Sequence, residues 1–366
     1  MARLDVYQFL LEPRLGGPHV RIHDVAKALP DSVRTHVVTC GKSEKASVYL
    51  LKLRGIWRPL YLLELMLNPV LIVLLFMLKR MRSRMLFHVN GPPNIAPILA
   101  AVVLRVPVVW HFNDSYGSMM SLVRLGKFLM KLTPSRMVTS AHAVAAAYGV
   151  TDYDVFYAPV NEKVWKRPED APFGPRDEDG SPVLLCVGNI NPVKAHDVLL
   201  DALALLQAEG YSPLPKLRIV GARLDTHEEQ YQKLATHDMR EQLTLLGKQQ
   251  GDVIRKELSA CTLSLLPSRS EACPIALLEA MSMSCACIAT KVGGVREMLS
   301  EQSGWLVPAD DARAMADAIK QALAATPEEL AEKGRAARET IEATFTVEAI
   351  AEVTRRVYSK LARVEL

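Results

Sequence analysis

One pattern runs through the chain twice: a short apolar stretch of strand length, a turn, then a stretch with helical spacing. The first series has strand-like runs at Leu4–Leu11, Val37–Cys40, Met85–Asn90, Val106–Phe112, Met137–Ser140 and Val155–Ala158. Helical patterns fall at Val20–Leu29, Ile95–Leu104 and Ala141–Tyr148. The second series opens at Val183–Val187 and continues through Lys216–Val220, Leu243–Leu246, Thr262–Leu266, Ala286–Ala289 and Gly304–Val307, with helices between. Parallel strands need a crossover, usually a helix, to bring the chain back in the same direction. Repeated β–α alternation therefore predicts parallel sheets covered by helices, an α/β doubly wound architecture. Lys163–Pro182 interrupts it with a run rich in Pro, Gly and charge, which reads as a linker. The expected organisation is two Rossmann-like domains, 1–165 and 183–345, joined by a linker at 166–182, with ligand in the cleft between them.

A hydrophobic content of 49% excludes a disordered chain. Charge is divided unevenly. Residues 1–165 carry 20 Lys+Arg against 10 Asp+Glu, a net of +10, and residues 166–366 carry 24 against 30, a net of −6. The first half should be drawn to anionic surfaces, and a membrane surface is the expected partner, not nucleic acid. Leu60–Leu78 is strongly apolar and is followed by Lys79, Arg80, Arg82 and Arg84. Glu64, Asn68 and Pro69 break that run, and its unbroken part, Val70–Leu78, is well short of the roughly 20 residues a membrane span requires. A buried or interfacial helix with a basic flank is expected. Asp5 and Glu12 stand where a signal peptide would have its apolar core. The six cysteines form no C-x-x-C pair, which suits reduced thiols in a cytosolic protein. The expected location is cytoplasmic, peripheral on the inner face of the cytoplasmic membrane.

The stretch Ser268–Met281 (SRSEACPIALLEAM) holds Glu271 and Glu279 around Pro274. Pro is favoured at the first helical position, so a helix should start near Pro274, with Glu279 in its second turn and Glu271 in the preceding loop. Such a start offers unpaired N–H groups and partial positive charge to an anion. Gly16-Gly17-Pro18 follows the first strand. It lacks the G-x-G-x-x-G dinucleotide fingerprint, which disfavours a dehydrogenase, and is either a backbone approach to a ligand or a plain turn. His111 and Asp114 end the strand Val106–Phe112, where open α/β sheets place their sites, though a structural histidine fits there equally. Asp152-Tyr153-Asp154 imitates a metal-binding D-x-D but reads as loop acids, because a Mg²⁺ site needs converging oxygens rather than spacing.

Gly188–Lys194, Glu271–Glu279, Thr290–Glu297 and Gly304–Val307, in this order, together resemble the retaining nucleotide-sugar glycosyltransferases of family 4, which have the GT-B fold. Gly16-Gly17 and Tyr157–Asn161 are consistent with it. The resemblance covers nearly the whole chain and is strongest over Val183–Val307. It implies that residues 1–165 bind the acceptor and 183–345 the nucleotide sugar. It also implies that the last helix, 346–366, crosses back onto the first domain. By position it gives Lys194 to the diphosphate, Glu271 to hydroxyls of the donor sugar and Glu279 to the ribose. The backbone of Pro274, Ile275, Ala276 and Leu277 would face sugar and diphosphate, Gly17 would approach the phosphates, and His111 or Asn113-Asp114 would lie near the sugar. Three positions depart from the family pattern. Asn189 replaces a usual Arg, Ala195 a usual Gly, and Cys273-Pro274 a common Phe-Gly.

The expected activity is that of a retaining hexosyl-type glycosyltransferase, with no cofactor and no metal. The substrates would be a nucleotide-diphosphate sugar and a saccharide or lipid-linked acceptor, in envelope polysaccharide or glycolipid synthesis. A lysine, a helix start and glycine N–H groups could stabilise the departing diphosphate. The alternatives are a GT-B nucleotide-sugar epimerase and a catalytically silent nucleotide-sugar-binding subunit, the latter allowed by Asn189.

Overall fold

The computed structural model describes residues 3–11, 17–41, 46–52, 58–81, 83–114 and 120–366. The chain divides into two compact units, Met1–Pro159 with Val347–Leu366, and Val160–Thr346.

Unit 1 is built on a seven-stranded sheet. Its strands are β1 (Leu4–Leu10), β2 (Val33–Cys40), β3 (Val48–Leu50), β4 (Arg84–Asn90), β5 (Val108–Phe112), β6 (Ser135–Thr139) and β7 (Asp154–Val155). They run parallel in the order β3-β2-β1-β4-β5-β6-β7, which turns back at β1 and so winds in both directions. All seven residues of β1 are buried, as its central place requires. The crossovers are α1 (Gly17–Ala28), α2 (Arg58–Arg80), α3 (Ala96–Leu104), α4 (Met120–Met130) and α5 (His142–Ala147).

Within unit 1 the apolar stretch becomes α2, which keeps Pro69 inside the helix. Asn68 is buried and bonds both backbone groups of Leu51, and Ile72 and Phe76 on the same face are buried against the sheet. Among the described residues no helix is long and apolar enough to cross a membrane. Helix α4 was not anticipated because Gly126 interrupts its pattern. A Cβ there would sit 2.3 Å from the Trp110 ring, so only glycine lets the buried indole lie against the helix. Asp152 and Asp154 are both held by Arg136, so the D-x-D pair serves an ion-pair cluster at the start of β6.

Unit 2 has six parallel strands: β8 (Val183–Val187), β9 (Lys216–Val220), β10 (Leu243–Gly247), β11 (Leu263–Leu266), β12 (Cys287–Thr290) and β13 (Gly304–Val307). Their order is β10-β9-β8-β11-β12-β13. Helices α6 (His196–Ala208), α7 (Glu228–Ala235), α8 (Gly251–Ala260), α9 (Ile275–Ser282), α10 (Val295–Met298), α11 (Ala312–Ala324) and α12 (Pro327–Thr340) accompany them. Helix α12 closes in a π turn, Ile341–Phe345. The change-over between units falls at 159/160, earlier than the composition break suggested. The stretch 166–182 belongs to unit 2. Arg167 is buried and donates to the carbonyls of Pro172 and Ser259, and Thr262 Oγ1 donates to Pro175 and accepts from Val183 N. Charge and proline marked it as exposed chain, but these tertiary bonds fix it beneath the N-terminal ends of the central strands β8 and β11.

The C-terminal helix (Val347–Ala362) completes the core of unit 1. Ile350 and Ala351 pack with Val25, and Val357 and Tyr358 join Leu4, Leu86 and Phe156. Tyr358 Oη lies 2.6 Å from His88 Nδ1 and accepts from Gln8 Nε2 at 3.0 Å. Tyr358→Phe keeps the packing but removes the hydroxyl these groups share, which should cost on the order of 1–3 kcal/mol. A lower urea midpoint of the purified chain is the expected result.

Candidate functional site

Three neighbouring strands set the site. β11 lies between β8 and β12, so the loops that leave their C-terminal ends emerge side by side, where doubly wound sheets bind ligands.

The first loop, 188–195, is held in shape by its own side chains. Asn191 Oδ1 accepts from Lys194 N at 3.1 Å, closing a short turn over Pro192–Lys194. Asn189 Oδ1 accepts from Ala222 N at 3.0 Å, so the residue that replaces the usual Arg ties this loop to the one after β9. The two loops touch so closely that a Cβ on Gly221 would lie 2.0 Å from the Gly188 carbonyl. Ala195 then takes φ +49°, the left-handed region, which accounts for the usual preference for glycine there. His196 starts α6 fully buried, and neither ring nitrogen has a partner among the described residues. Burial, and then the charge of Lys194, pushes it down to about 4, so it stays neutral.

The second loop carries Glu271. Its Oε1 accepts from Lys194 Nζ at 2.5 Å and from Ser268 Oγ at 2.7 Å. Ser268 is itself buried, and its carbonyl accepts from Thr290 Oγ1 at 2.5 Å. Arg269 clamps the first loop from outside: its N–H donates to Val193 O at 2.8 Å and its guanidinium reaches Asp197, Asp310 and the Pro192 carbonyl. The third loop supplies a floor. Gly293 has φ +47°, and a Cβ on it would lie 1.7 Å from the Glu271 carbonyl oxygen, while Gly294 N donates to that oxygen at 3.4 Å.

Pro274 is the N-cap of α9 rather than its first helical residue, and Ile275 begins the helix. The Leu277 and Leu278 amides bond the Pro274 carbonyl. The Ile275 and Ala276 amides fall among the helix-start donors that have no carbonyl in their own helix, as an anion site requires. Glu279 lies in the second turn, half-buried, and its carboxyl is pushed up to about 8 by burial, opposed by the attraction of Arg255.

Lys194, Glu271, Glu279 and the backbone from Pro274 to Leu277 thus belong to one group of adjacent loops, with Asn189 serving the loop and not facing it as a cation. Gly17 and His111 belong to unit 1. Gly17 is the first residue of α1, and Gly16 falls outside the described residues. His111 is fully buried on β5, with Nδ1 3.3 Å from His88 Nε2, in a polar row with Gln8, Asn90 and Tyr358. In this state the imidazole presents no surface to a ligand. Asn113 and Asp114, half-buried just beyond the strand, do. Sequence reasoning missed Ser268 and Arg269, although both stand in the motif beside Glu271. It named the stretch Thr290–Glu297 without the task of its Gly293-Gly294 turn, which supports Glu271.

Residues 181–325 match the family model described as glycosyl transferases group 1. The chain is 32% identical over 149 residues to a D-inositol 3-phosphate glycosyltransferase of Geodermatophilus obscurus, covering 39% of this chain and 33% of the relative. It is 27% identical over 183 residues to the lipopolysaccharide core biosynthesis mannosyltransferase LpsB of Rhizobium meliloti, covering 49% and 51%. The chain therefore spans about half or less of these curated relatives. Among solved structures, Anabaena HepE in complex with UDP superposes with TM-score 0.79 at 18% identity, covering 98% of this chain and 100% of that one. These findings show a group 1 glycosyltransferase match over the segment that carries the site, and the GT-B fold for the chain.

Two outcomes are expected. Gly293→Ala forces its methyl into the Glu271 carbonyl from a left-handed backbone, which should cost on the order of 2 kcal/mol or more and lower the melting temperature. Glu279 binds its proton more tightly folded (about 8) than unfolded (4.5), so its contribution to stability falls as pH rises between those values. Glu279→Gln should stabilise the ligand-free chain by on the order of 4 kcal/mol near pH 8 and by almost nothing at the acid end of that window, read from melting curves against pH.

Proposed function

We propose that the chain is a retaining hexosyltransferase that moves a sugar from a nucleotide-diphosphate sugar to a saccharide or lipid-linked acceptor. The product would enter cell-envelope polysaccharide or glycolipid assembly. The observation that carries this reading is the Lys194–Glu271 pair beside the open N-terminus of α9. In the ligand-free protein the ammonium is neutralised by the carboxylate. A diphosphate would draw Lys194 to itself, with the Ile275 and Ala276 amides as further donors, and release Glu271 to hydroxyls of the sugar. Glu279 would accept from the ribose hydroxyls, giving up its proton as it does so.

Transfer breaks the bond from C1 of the sugar to the diphosphate and forms one from C1 to the acceptor oxygen. The acceptor proton passes to the departing phosphate oxygen on the same face, which retains configuration. Charge grows on the leaving group and an oxocarbenium-like centre develops at C1. Lys194 and the helix start stabilise the first, preorganised where charge develops. In this reading neutralisation falls to protein groups, without a metal. The UDP complex of the Anabaena neighbour supports a nucleotide donor, and the lipopolysaccharide role of the Rhizobium relative supports an envelope product.

Asn189 favours a second reading, a nucleotide-sugar-binding subunit without turnover, because its amide is spent on Ala222 N and brings no cation to the phosphates. A thermal-shift panel of UDP-, GDP- and ADP-sugars, followed by donor hydrolysis, separates the two. A specific shift with release of nucleotide diphosphate is expected. Lys194→Met should lower kcat by about 10²–10³-fold, and Glu271→Gln should abolish turnover while nucleotide diphosphate still binds. A shift without turnover would establish the binding subunit, and no shift with any donor would end both readings.

A further inference from the structure

Helix α2 has two unlike faces. Inward, Glu64, Asn68, Ile72 and Phe76 repeat every four residues and are buried. Outward, Met66, Val70, Leu74 and Met77 recur at intervals of three or four residues and are 71%, 56%, 63% and 50% exposed. Leu78 and Met81 extend this stripe at 64% and 82%. Apolar residues at such spacing ordinarily mark the side of a helix that meets a core. Here a second apolar side meets solvent. Sixteen large apolar side chains are exposed among the described residues, and nine of them fall between Leu63 and Met81, which makes this a patch and not scatter.

The surrounding charge has one sign. Residues 65–113 contain five Lys+Arg and no Asp or Glu. Glu64, the acid in the helix itself, is turned inward and buried. Lys79 Nζ lies 5.5 Å from the Phe76 ring centre at the end of the helix. Arg80 and Arg84 are exposed, and neither forms an ion pair among the described residues. The outward stripe carries no aromatic ring and no hydrogen-bonding side chain.

We propose that the outward face of α2 is a docking surface for an anionic lipid bilayer. Met66, Val70, Leu74 and Met77 enter the boundary of the acyl chains, while Arg80 and Arg84 meet lipid phosphates. The helix lies in the interface, because its other face is occupied by the sheet of unit 1 and by the Leu51 backbone. This inference needs no donor or acceptor and stands apart from the transfer reading.

The test is sedimentation of the purified full chain with phosphatidylcholine vesicles, with and without a third of phosphatidylglycerol. Binding only to the anionic vesicles is expected, weakening as salt rises. A Met66→Glu, Leu74→Glu double variant should lose about tenfold or more in vesicle affinity with an unchanged melting temperature. Arg80→Glu with Arg84→Glu should lose the preference for phosphatidylglycerol. Absence of binding to either vesicle, or equal binding by both variants, would overturn the proposal. So would a lipid-free dimer that the Met66→Glu, Leu74→Glu variant dissociates, since the face would then belong to a second copy.

Discussion

Lys194 and Glu271 are 77 residues apart, and their contact rests on strand order. β8, β11 and β12 are neighbours and parallel, so the loops after them open at one edge of the sheet. The bond at 2.5 Å joins the first two of those loops, and the Gly293-Gly294 turn from the third lies beneath the Glu271 backbone. Ser268, Arg269, Asn191 and Thr290 are all committed to the same arrangement. The ligand-free protein thus holds a neutralised cation at this loop edge; under the proposed function, a donor diphosphate would exchange one partner for another instead of meeting a bare charge.

The two units use buried polar groups in different ways. In unit 2 they meet at a loop edge, where Glu271 and Lys194 are still partly open to solvent. In unit 1 they form an interior row, Gln8, His88, Asn90 and His111, which is closed by Tyr358 from the end of the chain. Buried polar groups are tolerated when each finds a partner, and such a network fixes one packing rather than several. The C-terminal helix therefore carries polar closure as well as apolar cover.

Asn189 illustrates how a departure from a family pattern changes meaning in three dimensions. In one dimension it is the loss of a cation. In the structure its amide pins the Gly188 loop to Ala222, at a crossing so tight that Gly221 admits no Cβ. The loop that presents Lys194 is thereby held by two asparagine side chains, Asn189 and Asn191.

The sequence alone determined the fold class, since apolar runs of strand length alternating with helical ones permit little besides a doubly wound parallel sheet. It also determined the local form of Ser268–Met281, because a proline and the apolar run after it start a helix whatever surrounds them, to within one residue of the observed Ile275. Periodicity could not show that 166–182 packs on unit 2, that Gly126 sits inside a helix against Trp110, or that His111 is enclosed. Those outcomes depend on contacts far apart in the chain. The same holds for α2. Its composition announced an apolar helix with a basic end. Only the tertiary structure decided which face the sheet covers and which it leaves to solvent, because Asn68 finds its partners on the Leu51 backbone and so fixes the rotation of the helix.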